Sequence, residues 1–151
     1  MIEMAVTDAP GVATLYCLEQ RQGDSSIFDF SDDQLTFPGD RVKKLDVPAT
    51  SLDSFFDNEE RIDLIRIDAE GAEPLVFDGM RRILERNPHI SILIELFPER
   101  IRRSGLDPAE FLKSIAEMGF RIQTVGPKGR LQQLKIEVLA DRVLSELFLS
   151  R

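Results

Sequence analysis

An α/β fold with a parallel sheet is what this sequence predicts, and three observations carry that prediction. Between residues 62 and 125, β-branched apolar runs alternate with helical periodicity in the order strand, helix, strand, helix, strand. One run, Ile90, Ile92, Leu93, Ile94 and Leu96 within His89 to Phe97, is nearly continuous, as in strands covered on both faces. The chain has 151 residues, 42% of them hydrophobic and 30% charged, which suits one domain with one buried core.

The elements follow in order. Ile2 to Val6 and Val12 to Leu18 read as short extended segments, with Asp8-Ala9-Pro10-Gly11 as a turn between them. Residues 19–43 form an irregular region, broken by Gly, Ser, Asp and Pro between Gln20 and Asp40, with one short strand at Ile27 to Phe30. Lys44 to Ala49 is extended, and Thr50 caps a short helix that starts at Ser51 and carries Asp53 in its first turn. Ile62 to Asp68 is a strand. Glu73-Pro74 opens a helix whose buried face is Val76, Met80, Ile83 and Leu84, and Asn87-Pro88 stops it.

After the His89 to Phe97 strand, Asp107-Pro108-Ala109-Glu110 has the cap, proline and acidic residue of a helix start. Phe111, Leu112, Ile115 and Met118 form the inner face of that helix, Gly119 closes it, and Phe120 to Val125 is the next strand. Leu139, Val143, Leu144, Leu147 and Phe148 fit a helical stripe, yet Leu147-Phe148-Leu149 fits a closing strand, the reading preferred here.

Composition excludes several function classes. Nineteen Lys and Arg against 27 Asp and Glu leave a net charge of −8, the wrong sign for nucleic acid or an anionic membrane. Cys17 is the single cysteine and His89 the single histidine, so a disulfide framework, a Cys- or His-based zinc site and a Ser-His-Asp triad are not expected. No apolar stretch approaches the ~20 residues of a membrane span, and the acidic start is no signal peptide. The expectation is a cytoplasmic protein.

In open α/β sheets ligands bind beyond the carboxyl ends of the strands. Asp68 ends one central strand, Glu95 lies near the end of the next, and Arg66 shares a face with Asp68. If the strands are neighbours, ~4.8 Å apart, these three groups meet. Two readings stand open: an ion pair that ties the strands together, or a polar cluster at the mouth of the sheet completed by Glu70 and Glu73. Asp68, Glu70 and Glu73 are a possible hard-cation set, but two of them serve equally as helix-start charges, so no metal is required. His89 lies at the opposite end of its strand, ~20 Å from Glu95. Cys17 reads as core, and Arg81-Arg82 and Arg100 to Arg103 as solvated basic faces.

Three segments carry a resemblance. Thr50-Ser51-Leu52-Asp53-Ser54-Phe55-Phe56, then Ile62-Asp63-Leu64-Ile65-Arg66-Ile67-Asp68-Ala69-Glu70-Gly71-Ala72-Glu73, then Ile94-Glu95-Leu96 resemble the FkbM-type methyltransferase family. Ala5-Val6-Thr7-Asp8, Gly11 and Ser25-Ser26 are similar to the stretch just upstream, so nearly the whole chain is covered. The resemblance implies a class I methyltransferase Rossmann-like sheet and S-adenosylmethionine as cofactor. It also implies methyl transfer to a hydroxyl of a sugar, polyketide or similar small molecule. By the same token Asp68, Glu70, Glu95 and Arg66 are the catalytic candidates, with Asp8 and Asp68 toward the cofactor. Arg66 replaces the lysine usual at its position.

No Gly-x-Gly turn is present. The family's first two strand–helix units, on the order of 60 residues, are expected to be absent, so the fold reads as N-terminally truncated. In the class I order those strands separate the third from the fourth, which would leave Ile62 to Asp68 as an open edge. A homodimer or an N-terminal partner chain is the expected remedy. The alternative function is a non-catalytic remnant or half-enzyme that folds or oligomerises through that edge without binding cofactor.

Overall fold

A computed structural model describes residues 2–29, 41–56 and 61–151. Among these residues the protein is a mixed α/β structure with two sheets and six α-helices. The smaller sheet contains β1 (Ala5–Val6), β2 (Gly11–Leu18) and β3 (Val42–Thr50) in the order β1-β3-β2. β1 runs parallel to β3, and β2 pairs antiparallel with β3 from Gly11 opposite Ala49 to Leu18 opposite Val42. Between β2 and β3 the chain makes a 3-10 turn at Gln22–Asp24, and Ser26 bridges back to Tyr16. Ile27 and Phe28 form a bend, not the expected strand, and Phe30 lies outside the described residues.

β3 runs on through Thr50, so the cap of the next helix shifts by one residue. Ser51 accepts a hydrogen bond from the Ser54 amide and opens α1 (Leu52–Phe55). β4 (Leu64–Ile67) then leads into α2 (Glu73–Asp78) and α3 (Arg81–Arg86). The sequence predicts one helix here and the structure has two. The cause is Gly79: a Cβ there would stand 2.2 Å from the Thr7 carbonyl oxygen, so the β1 end packs directly against the helix break. Asp53 secures the restart, its carboxylate accepting from the Arg82 and Ile83 amides at 2.9 Å each.

β5 (Ser91–Leu96) is followed by α4 (Pro98–Arg103), which the sequence reading missed, and by α5 (Pro108–Glu117). The Asp107 carboxylate caps α5 through the Ala109 and Glu110 amides, as its sequence predicts. β6 (Arg121–Val125), the two-residue β7 (Leu131–Gln132), α6 (Ile136–Ala140) and β8 (Ser145–Ser150) complete the chain. The ambiguous C-terminal segment takes the preferred strand reading at Leu147-Phe148-Leu149, and the helical stripe reaches only Leu139 in the short α6.

The larger sheet has the order β4-β5-β8-β6-β7. β4 and β5 are parallel, and β8 inserts antiparallel between β5 and β6. β4, β5 and β6 therefore share one direction, with the helices crossing over between them, as the strand–helix alternation predicts.

Burial divides this sheet into two unlike faces. Ile67, Ile92, Ile94, Leu96, Ile122, Leu147 and Leu149 are buried in one cluster with Val76, Phe77, Ile83, Leu84, Phe111, Leu112 and Ile115 of α2, α3 and α5 and with Met80 at the break between α2 and α3. Phe77 and Phe111 meet edge to face, with centroids 5.3 Å apart. On the opposite face the register aligns Arg66, Leu93, Phe148 and Gln123 in a row, with Glu95 opposite Glu146 in the next. All six are exposed or half-exposed. The apolar run of β5 is thus covered on one face only among the described residues, not on both as its composition suggests. Cys17, expected in the core, is half-exposed in β2.

Candidate functional site

β4 is an edge strand of the larger sheet among the described residues. The Ser91 amide donates to the Asp63 carbonyl at 2.9 Å, which directs the Asp63 backbone toward β5. Alternation then turns the backbone groups of Leu64 and Arg66 outward, to the open edge. Leu64 is 62% exposed there. This is the open edge that the sequence reading expected at Ile62 to Asp68.

Asp68 follows β4 and Glu95 lies one residue before the end of β5, so both stand at the carboxyl ends of parallel neighbours. The Arg66 guanidinium bridges them, 3.0 Å from Asp68 and 3.5 Å from Glu95. The strand alternation read from sequence therefore places Arg66, Asp68 and Glu95 together on the uncovered face. These ion pairs are solvent-accessible, so they contribute little to stability. Glu146, opposite Glu95 on β8, joins the same patch. Sequence reasoning missed it because the strand register of residues 145–150 was undecided.

The turn after β4 is built from unusual backbone. Glu70 has φ +52° and Gly71 has φ +99°, both in the left-handed region. Gly71 is needed there twice over, since a Cβ would also stand 2.9 Å from the Arg100 carbonyl oxygen. The Glu73 side chain organises the turn from the first residue of α2: its carboxylate accepts from the Ala69 and Gly71 amides at 3.1–3.2 Å. Glu73 is 1% exposed, and burial raises its carboxyl above the ordinary range against the pull of those backbone hydrogen bonds. Its place is structural.

Glu70 points the other way. Its carboxylate pairs with Arg100 of α4, and Arg100 also donates to Asp24 at 2.9 Å. Ser26 donates its hydroxyl to the Glu70 carbonyl oxygen at 2.9 Å. Burial pushes the Glu70 carboxyl up to about 7; Arg100 opposes the rise, while Asp68, Asp24 and Glu73 add to it. Arg100 and Asp24 escaped sequence reasoning because Arg100 sits in a basic run that reads as solvated, yet its side chain is only 20% exposed. The proline-led start of α4 is the one local signal that could have drawn attention to it.

Asp8 is exposed in the turn after β1, beside Gly79. The length of α2 separates that position from Asp68, so the structure does not gather the two cofactor candidates into one contact. His89 is exposed ahead of β5. Among the described residues no three His, Cys, Asp or Glu side chains converge to hold a metal ion, and no helix is long and apolar enough to cross a membrane. Two cavities, about 530 Å³ and 270 Å³, lie beside α5 and touch none of the candidate residues. Among the described residues the chemistry-bearing groups line the mouth of the open sheet face, with Arg66 and Arg100 each bridging two carboxylates and burial pushing the Glu70 carboxyl up to about 7.

No curated protein and no solved structure matches the chain. The family model described as the methyltransferase FkbM domain matches residues 1–122, which takes in β1 through the start of β6 and every candidate residue above except Glu146. The chain belongs to the FkbM methyltransferase domain family.

Proposed function

We propose that this protein is an S-adenosylmethionine-dependent O-methyltransferase acting on a hydroxyl of a sugar, polyketide or similar small molecule. The observation that carries the reading is the Arg66 bridge between Asp68 and Glu95 at the carboxyl ends of β4 and β5, with Glu70 in the turn that follows β4. The family supports methyl transfer and a small-molecule substrate.

The donor set suits the cofactor. Ionised carboxylates accept hydrogen bonds from ribose hydroxyls and from an ammonium group, which Asp68 and Glu95 offer from neighbouring strands. Asp8 is assigned to the adenine side. When bound, the cofactor supplies a methyl group on a sulfonium centre. The chain's own work is to hold the acceptor oxygen in line with that methyl and to remove its proton. Asp68 is assigned to the acceptor hydroxyl, with Glu95 beside it. Glu70, whose carboxyl is pushed up to about 7 by burial, lies in the same turn and is able to take a proton at neutral pH. Among the described residues the edge of β4 and one sheet face are open, and a second copy of the chain or a partner chain would provide a second wall there.

Calorimetric titration with S-adenosylmethionine and S-adenosylhomocysteine, after light scattering has fixed the oligomeric state, tests the reading. Micromolar binding supports it. A folded chain that binds neither is a half-enzyme or remnant. In an active preparation Asp68→Asn is expected to lower turnover by ~100-fold or more while urea denaturation shows an unchanged fold. Unchanged turnover assigns Asp68 to strand pairing alone.

A further inference from the structure

Three pieces of chain distant in sequence meet at one side chain. Arg100 reaches Asp24 of the 3-10 turn, 76 residues away, and Glu70 of the site turn, 30 residues away. Its guanidinium carbon lies 4.9 Å over the Phe97 ring, which fixes the plane of the fork. Ser26, 4% exposed, adds a bond from the same loop to the Glu70 carbonyl. The carboxylates facing Glu70 are Asp24 from the 3-10 turn, and Asp68 and Glu73 from the two ends of its own turn. Without Arg100, Asp24 and Glu70 would face each other as like charges across a half-buried space.

We propose that Arg100 is a positioning residue, a clamp that docks the Gln22–Ser26 segment onto the Asp68–Glu73 turn and so sets where Glu70 stands in the site. The docked segment is the wall beside Glu70, and the fork is what holds it there. The clamp is a property of the fold; its bearing on methyl transfer rests on the function proposed above. Lysine cannot replace it in full, because an ammonium is a point charge without the bidentate fork.

The test uses the full chain and two readouts, amide hydrogen exchange of residues 22–26 and 69–73 and the carbon-13 titration of the Glu70 carboxyl. In Arg100→Gln both segments are expected to exchange about tenfold faster or more, as loss of charge-assisted bonds requires. Asp24→Asn loosens 22–26 and leaves 69–73 near its original rate, and Arg100→Lys falls between wild type and Arg100→Gln. Glu70 titrates near 7 in the wild type and higher in Arg100→Gln, since the cation that holds it down is gone. Arg100→Lys keeps the charge without the fork, so in it the titration stays close to wild type while both segments still exchange faster, which separates the clamp from the charge alone.

Wild-type exchange at 22–26 in both Arg100→Gln and Asp24→Asn overturns the proposal, as does an unmoved Glu70 titration. If Arg100→Gln does not fold, wild-type exchange in Asp24→Asn alone overturns it. These shifts in a chain that binds no S-adenosylmethionine uphold the clamp and reject the methyltransferase reading, so the two fail separately.

Discussion

The two faces of the larger sheet are made by the same strands and do opposite things. On one, Ile92, Ile94, Leu147 and Leu149 are fully buried under helices, where burial of apolar area supplies most of the stability. On the other, their immediate neighbours Leu93, Glu95, Glu146 and Phe148 remain in contact with water, and an exposed ion-pair cluster occupies the strand ends. A single residue step along β5 therefore passes from the buried core to the polar open face. Substitutions on the covered face should read out as stability and those on the open face as binding or turnover.

The largest expected effect breaks that division most directly. Ile94→Ala removes a fully buried side chain and is expected to cost about 2–5 kcal/mol in urea denaturation. Leu93→Ala, one position away, should cost less than ~1 kcal/mol, in the range of surface changes. Equal losses would mean that the open face is covered in solution, and light scattering would show by what.

Glu73→Ala comes next. It orphans the buried Gly71 and Ala69 amides, and two unsatisfied donors carry an expected cost of about 2–3 kcal/mol. The loss should be accompanied by faster exchange in residues 69–73. A near-neutral effect would show that the left-handed turn at Glu70 and Gly71 holds without its carboxylate.

The sequence made the covered half legible and much of the open half as well, for different reasons. β4, β5 and α5 were readable because their signals are local: β-branched runs, and a cap at Asp107 followed by Pro108. Arg66, Asp68 and Glu95 were readable because strand alternation and the carboxyl-end rule need no tertiary knowledge beyond two adjacent strands. The break between α2 and α3 was not readable, because Gly79 is shaped by Thr7, which is far away in sequence. Arg100 was hidden for the same reason, its partners being 30 and 76 residues distant. Nor does the β5 run reveal a missing cover, since Leu93 is as apolar as the buried Ile92 and Ile94 on either side of it.

A smaller effect comes from pH. Burial pushes the Glu70 carboxyl from its ordinary value of 4.5 up to about 7 in the folded chain. The folded state thus holds this proton more tightly than the unfolded state. Its stabilising contribution is fully present below about 4.5 and is lost as pH rises toward 7. Glu70→Gln lacks that dependence, so the stability of wild type relative to the variant should fall between pH 4.5 and 7 and level off above. Urea midpoints across this range check it. Glu73 shifts in the same direction but is present in both proteins and cancels. A difference that grows with pH would mean that the Arg100 pairing outweighs burial at Glu70.

The smallest expected effect sharpens the comparison from the other side. Glu95 and Glu146 stand directly opposite each other on adjacent strands, an arrangement of like charges that destabilises a sheet. Arg66 offsets Glu95 but has Asp68 as its nearer partner, so the patch retains excess negative charge. Glu146→Gln is therefore expected to stabilise the chain by about 0.2–1 kcal/mol, against the sign of most substitutions. A gain in the urea midpoint, paired with weaker binding of S-adenosylmethionine, the proposed cofactor, would show that this face keeps an electrostatic conflict in the service of a ligand. A loss of stability would show instead that Glu146 has a favourable partner on the open face, and the patch would then belong with the covered face as part of what holds the sheet together.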